Sequence, residues 1–429
     1  MDLSDLDAAI EDTMASWHCP GLAIAVVREG EPVYRRAFGL RDVEAAAPMT
    51  EDTRFALASV TKSVTATSVA LLVDEAVLAW DRPVCNDMPE FILDDPYATR
   101  HVTLRDMLSH RTGLPRHEYA AWRLELPRAE FVRRMRHLKP SASLRERYQY
   151  NNLMYAAAAH LVEKAAGQRW EDFVQARIFA PLGMAASNFE PAFGDGDRPL
   201  AIGYRVQRDA RASFRHLVRM PFGCHTELSP GPAGALFSTL ADMAQWLGLQ
   251  LGAGECNGAR IVSRHNLREL HSPQTVIPVS EMGYALSGLT MLSYGMGWFI
   301  RPYPFAAGTL VFHDGNVEGH SAHVCFVPEA RAGVVALANA AMSSVPTIVA
   351  REALDRVLGL PRRDWNRRFH ATHDPLLAAI SKGEADAAGD RAPDAPPTRP
   401  LADYTGSYAP TATPISRCGS KATRCRPAR

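Results

Sequence analysis

The run Ser59-Val60-Thr61-Lys62-Ser63-Val64-Thr65-Ala66-Thr67-Ser68-Val69-Ala70-Leu71-Leu72-Val73 decides how this chain is read. It predicts a helix from Lys62 to Val77 with one cation at its start. Residues three apart share a helix face, so the Ser59 hydroxyl and the Lys62 amine are predicted neighbours. A serine needs a base before it attacks anything, and burial disfavours the charged form of a lysine, which turns its amine into such a base. Arginine stays protonated and could not substitute. Only five of the 47 basic residues are lysine (Lys62, Lys139, Lys164, Lys382, Lys421), so a lysine in an apolar run stands out. The competing reading is structural, a lysine whose stem packs while its amine reaches water.

Two further clusters offer partners. Tyr148-Gln149-Tyr150-Asn151-Asn152 precedes a helical pattern running to Ala166. A tyrosine near a cation can shuttle protons, and an asparagine at a helix start can aim its amide at a carbonyl. The structural alternative is an aromatic turn with Asn151 or Asn152 as the helix cap. His313-Asp314-Gly315-Asn316 precedes a strand at Ser321 to Val327. A glycine beside a strand edge lets a ligand approach the backbone, which suits an oxyanion donor or substrate pairing, although a plain turn is the other reading. His320 and His323 raise the question of a metal. Their odd spacing in a strand sends them to opposite faces, so no metal and no cofactor is assigned.

Composition narrows the classes. The chain has 429 residues, 47% hydrophobic and 22% charged, which is ordinary for a globular protein with ample core. Lys+Arg 47 balances Asp+Glu 47, leaving no general basic field for nucleic acid or anionic lipid. No stretch approaches the roughly 18 apolar residues of a membrane span, so no membrane partner is expected. The seven cysteines are scattered without a CxxC, which fits neither a disulfide framework nor a zinc site. The opening MDLSDLDAAIEDTMASW is acidic and amphipathic rather than basic then apolar, so the chain as written is expected to be cytoplasmic.

Around the motifs, Leu3, Leu6, Ile10 and Met14 space an opening helix. Gly21 to Val27 and Pro32 to Phe38 read as one hairpin, His320 to Val327 and Gly333 to Asn339 as another, and the two are expected to share a sheet. Thr103 with Asp106, and Thr239 with Asp242, have the shape of helix caps. Residues 384 to 400 carry the Ala, Asp and Pro content of a linker. The basic stretch from Thr411 reads as disordered.

The order SxxK, YxN, HxG resembles the serine β-lactamase and penicillin-binding superfamily, in the class C-like branch of family VIII esterases, S12 peptidases and D-aminopeptidases. TLRDMLSHRTGLP (103–115), GPAGALFSTLADMAQWL (231–247), YGMGW (294–298) and VPEARAGVVALAN (327–339) are similar to segments of that family. The implied fold is α/β (α+β), a β-lactamase/transpeptidase-like antiparallel sheet built from both chain ends and flanked by helices. Its α/β part covers about 1–80 and 280–358 and a mostly helical insert about 81–279, with a linker and truncated or disordered segment at 359–429.

The resemblance also implies an acyl-enzyme mechanism. Ser59 is the expected nucleophile, with Lys62 and Tyr150 as coupled proton carriers. Asn152 is expected to orient the scissile carbonyl, with an oxyanion hole from the backbone amides of Ser59 and Asn316. His313 and Gly315 complete the substrate-binding set. His313 occupies a place where β-lactamases carry lysine, which favours ester or short peptide-like amide substrates over β-lactams. The alternatives are a penicillin-binding DD-peptidase or weak β-lactamase, and an inactive scaffold. A rival nucleophile, Ser321 in Gly319-His320-Ser321-Ala322-His323, lacks the last glycine of GxSxG. Trp122, Phe193 and Phe222 are candidates for the acyl pocket, with core packing as their other reading. Oligomeric state is not legible.

Overall fold

The computed structural model describes residues 3–117, 126–189, 199–209, 213–221, 231–280, 289–303 and 308–389, with short strands at 406–408, 416–418 and 426–427. Trp122, Phe193 and Phe222 lie outside them.

Helix α1 (Leu6–Trp17) leads into strands β1 (Gly21–Arg28), β2 (Glu31–Asp42) and β3 (Ala47–Pro48). The β1–β2 turn uses Glu29 and Gly30, both at positive φ, the backbone of a tight two-residue hairpin loop. Late in the chain come β4 (Thr275–Ile277), β5 (Leu292–Tyr294), β6 (Phe299–Pro302), β7 (Thr309–Val317), β8 (His320–Val327) and β9 (Ala332–Ala338). They form one nine-stranded antiparallel sheet in the order β4-β5-β6-β7-β8-β9-β1-β2-β3. The two hairpins therefore meet inside the sheet, between its sixth and seventh strands, where Ala25 opposes Val335. Both of these strands are buried along nearly their whole length, which suits their continuous apolar sequences.

One face of the sheet is covered by α1 and α5 (Val345–Val357), with Leu6, Ile10, Ile348 and Leu354 in a common core. The other face packs the region inserted between β3 and β4, including α2 (Thr61–Asp74), α3 (Leu153–Ala166) and α4 (Leu240–Leu251). Helix α2 is buried on all sides from Thr61 to Leu72. Most of its hydroxyls bond back to its own turns, Ser63 donating to Val60 O at 2.7 Å and Thr67 to Ser63 O at 2.9 Å, while Thr65 reaches out to Pro232 O at 2.6 Å. Thr103 and Asp106 form a reciprocal capping box on the short helix Leu104–Leu108. Thr239 accepts from the Asp242 amide at the head of α4.

The stretch after 359 is not linker from its start. Helix α6 (Trp365–Gly389) docks on α5, with Trp365 buried and its indole Nε1 donating to Asp355 at 2.8 Å. An aromatic anchor overrides the polar composition that follows it. The last described strands, Gly406–Tyr408, Ser416–Cys418 and Arg426–Pro427, pair antiparallel with one another. Among the described residues no helix is long and apolar enough to cross a membrane.

Candidate active site

The chain enters α2 through a tight turn in which Ala58 takes a left-handed backbone, φ 47°. Such a conformation costs a non-glycine residue about 1–2 kcal/mol, and it presents half-buried Ser59 at the head of the helix. One turn on, Lys62 is 0% exposed. Its Nζ lies 3.1 Å from Ser59 Oγ and donates to Ala233 O at 2.7 Å. The amine also sits 4.8 Å from the ring centre of Tyr150 and 5.4 Å from that of Tyr155. The predicted i, i+3 pair is thus formed, and the snorkelling alternative fails because the amine never reaches water.

Tyr150 belongs to a segment tied down on both sides. The Asn151 side chain accepts from the Met154 amide at 3.1 Å and donates to Pro115 O at 2.6 Å, so Asn151 is the residue that caps α3. Asn152 is left with a buried Oδ1 that has no hydrogen-bond partner among the described residues. Arg116 stacks over Tyr150, 5.3 Å from the ring centre.

Strand β7 runs alongside the Ser59 turn, and Gly315 explains how closely. A Cβ there would lie 2.0 Å from Leu57 O. The expectation that this glycine admits a ligand is corrected: the backbone approaching it is the chain's own. Gly297, at φ 82°, gives the same clearance to α2, since a Cβ would fall 2.8 Å from Lys62 O.

His313 is brought into the site but not as a free ligand for substrate. Its Nδ1 donates to Asp314 O at 2.7 Å and its Nε2 faces Tyr294 Oη at 2.9 Å. Burial, helped by the Lys62 charge, pushes the ring down to about 3, so it is neutral. Both ring nitrogens are thus engaged within the protein. Asn316 is exposed on the same strand, its side-chain oxygen accepting from Ser321 at 2.8 Å. Ser321 is buried and bound also by Ala340 O and the Ser343 amide, which removes it as a rival nucleophile. His320 packs edge-on against Phe55, while His323 pairs with Asp314.

Sequence reasoning missed the Ala233 carbonyl, the Tyr155 and Tyr294 rings and His110. Ala233, Tyr294 and His110 lie in segments whose likeness to the family was noted without a chemical role, and Tyr155 lies one turn beyond the YxN motif.

Fold and site together define a member of the serine β-lactamase and penicillin-binding superfamily. The chain belongs to the Beta-lactamase family, whose model matches residues 6–358. It is 28% identical to an unguisins hydrolase of Aspergillus violaceofuscus, over 94% of this chain and 74% of that one. Among solved structures it is similar to an octameric penicillin-binding protein homologue from Pyrococcus abyssi, at TM-score 0.70 and 30% identity over 84% of this chain and 78% of that one. It also resembles a D-amino acid amidase from Ochrobactrum anthropi, at TM-score 0.65 and 26% identity over 83% and 98%.

Proposed function

We propose that this serine hydrolase cleaves ester or peptide-like amide bonds of small substrates through an acyl-enzyme on Ser59. The observation that carries the reading is a fully buried lysine amine 3.1 Å from Ser59 Oγ and in contact with the Tyr150 ring. Ser59 Oγ attacks the carbonyl carbon while its proton passes to the coupled Lys62–Tyr150 pair. The pair returns a proton to the leaving alcohol or amine. Water then attacks the acyl group by the reverse proton route, freeing the acid and restoring Ser59. The backbone amides of Ser59 and Asn316 are assigned to the developing oxyanion, and Asn152 to the carbonyl's orientation.

A neutral, doubly bonded His313 supports substrates that need no cation at that strand position. Esters, amides and peptides without a free carboxylate there fit better than β-lactams. The structural likeness to a D-amino acid amidase, at 26% identity, agrees with amide chemistry of this kind.

The test is intact-mass spectrometry of wild type and Ser59→Ala with p-nitrophenyl butyrate, phenylalanine amide and benzylpenicillin in separate reactions. A transient acyl adduct with ester or amide turnover, absent from the variant, is expected. A stable penicilloyl adduct or rapid penicillin turnover would move the assignment to a penicillin-binding protein or a lactamase. Neither adduct nor product with any of the three would overturn the reading.

A further inference from the structure

The two peptide amides that flank Tyr150 are held by a single residue. Gln149 N–H donates to His110 O at 2.8 Å, and Asn151 N–H donates to His110 Nδ1 at 3.0 Å. His110 is fully buried and holds a left-handed backbone, φ 61°. Its ring lies 4.4 Å from that of Tyr150, 4.7 Å from Tyr294, 5.3 Å from Tyr155 and 5.6 Å from Tyr148. Because Nδ1 accepts, the ring's one proton sits on Nε2. That atom is buried with no hydrogen-bond partner among the described residues.

We propose that His110 is a positioning residue for Tyr150: as the neutral Nε2–H tautomer it clamps both amides around the tyrosine and sets the phenol ring against the Lys62 amine. This rests on the reading of Ser59, Lys62 and Tyr150 as the reacting groups. The clamp needs a neutral ring, since an imidazolium has no lone pair for the Asn151 amide. The surroundings enforce that state. The groups facing the ring are the four phenols and the cationic or neutral bases Lys62, Arg116 and His313, and burial with those charges holds His110 well below the usual histidine range. A left-handed backbone at a bulky residue, kept at a turn between two motifs, is the kind of strain that persists where geometry matters.

Two variants of the full-length chain separate positioning from simple packing. His110→Phe keeps a ring but deletes the acceptor. His110→Asn tolerates the left-handed backbone and offers Oδ1 where Nδ1 stood. With the ester substrate, His110→Phe is expected to lower kcat by on the order of 10-fold or more with KM within about two-fold, and to shift the limb of the kcat/KM pH profile that belongs to the Lys62–Tyr150 pair. His110→Asn should recover most of that loss. Wild-type kinetics in His110→Phe, or equal losses in both folded variants, would overturn the proposal.

A second readout is independent of catalysis and of the variants' folding. In 15N-histidine NMR of the wild-type chain, the His110 ring should show the Nε2–H tautomer and no titration between about pH 5 and about pH 8, as should buried His271, whose Nε2 donates to Gln250 outside the tyrosine cluster. The His110 signal is identified by its loss in either variant that folds, and otherwise by its contacts to the tyrosine rings. An Nδ1–H tautomer, or titration in that range, would overturn the clamp. The NMR result stands even if Ser59→Ala proves active, so failure of the clamp and failure of the acyl-enzyme reading are distinguishable.

Discussion

Asp314 and His323 oppose each other in register on β7 and β8, Oδ1 and Nδ1 2.6 Å apart, on the strand that carries His313 and Gly315. Burial alone would push His323 down, but the Asp314 carboxylate outweighs it and lifts the ring to about 9. Burial likewise opposes the Asp314 charge, and His323 overcomes it, holding that carboxyl below its ordinary value. His323's contribution is complete below its unfolded pKa near 6.5 and lost as pH rises through about 9. Asp314's contribution is present above its unfolded pKa and lost as pH falls through its depressed one. Stability should therefore hold level only from about pH 5 to about pH 6, fall with acid below that, and fall progressively between about pH 6.5 and about pH 9. With Asp314 42% exposed, solvent screening limits the pair, and Asp314→Asn should cost about 1–2 kcal/mol at neutral pH. Urea titrations across pH check this: an alkaline limb unchanged in the variant would assign the loss elsewhere.

Lys62→Arg keeps the charge and discards the chemistry. A guanidinium cannot give up its proton where the Lys62 amine meets Ser59 Oγ, Ala233 O and the Tyr150 ring. Turnover should fall by about 10³-fold or more, whereas a structural lysine would tolerate the change. Single-turnover acylation with p-nitrophenyl butyrate measures it, with thermal denaturation as the folding control.

Gly315→Ala drives a methyl group into Leu57 O, so β7 must back away from the Ser59 turn. A cost of about 1–3 kcal/mol is expected, with a drop in kcat of about 10-fold or more, because a displacement near 1 Å misaligns reacting groups. Full activity at unchanged stability would show that the strand can yield there.

Asp106 joins the turn before His110 to the rest of the fold. It is fully buried, bonds Thr103, and takes Arg111 at 2.6 Å and Arg145 at 2.8 Å. Burial works against its charge, while Arg145 and Arg111 keep its carboxyl low, so its contribution is present at neutral pH and lost in acid. Asp106→Asn should lower stability by roughly 3 kcal/mol and loosen the His110 turn. Proteolysis mapping in the 101–117 segment would detect that loosening, and an equally resistant variant would disprove it.

Some of this was legible in the chain. The Ser59–Lys62 pair depends on helical spacing alone, and the two hairpins announce themselves by apolar runs around polar turns. Their meeting at Ala25 and Val335 followed from the shared β character of both ends. Other features depend on partners far away in sequence. His313 is neutral because burial and the Lys62 charge disfavour its cation, and no pattern near residue 313 says so. Gly315 looked like ligand clearance because Leu57, its true neighbour, is 258 positions earlier. Helix α6 was hidden by the polar composition after Trp365, whose single buried indole decides the packing.

The seam between β1 and β9 sets a timetable for synthesis. Arg28 finds its partner only when Ala332 has been made. At about 5–20 residues per second, the first hairpin waits roughly 15–60 s with an apolar edge open. During that wait the helical insert emerges and has time to collapse around α2, so Ser59 and Lys62 meet before the strand bearing Gly315 exists. A ribosome-stalled chain ending before residue 309 would thus hold the formed helix of Ser59 and Lys62 beside an unfinished sheet, the stage at which holdase chaperones would have most to grip.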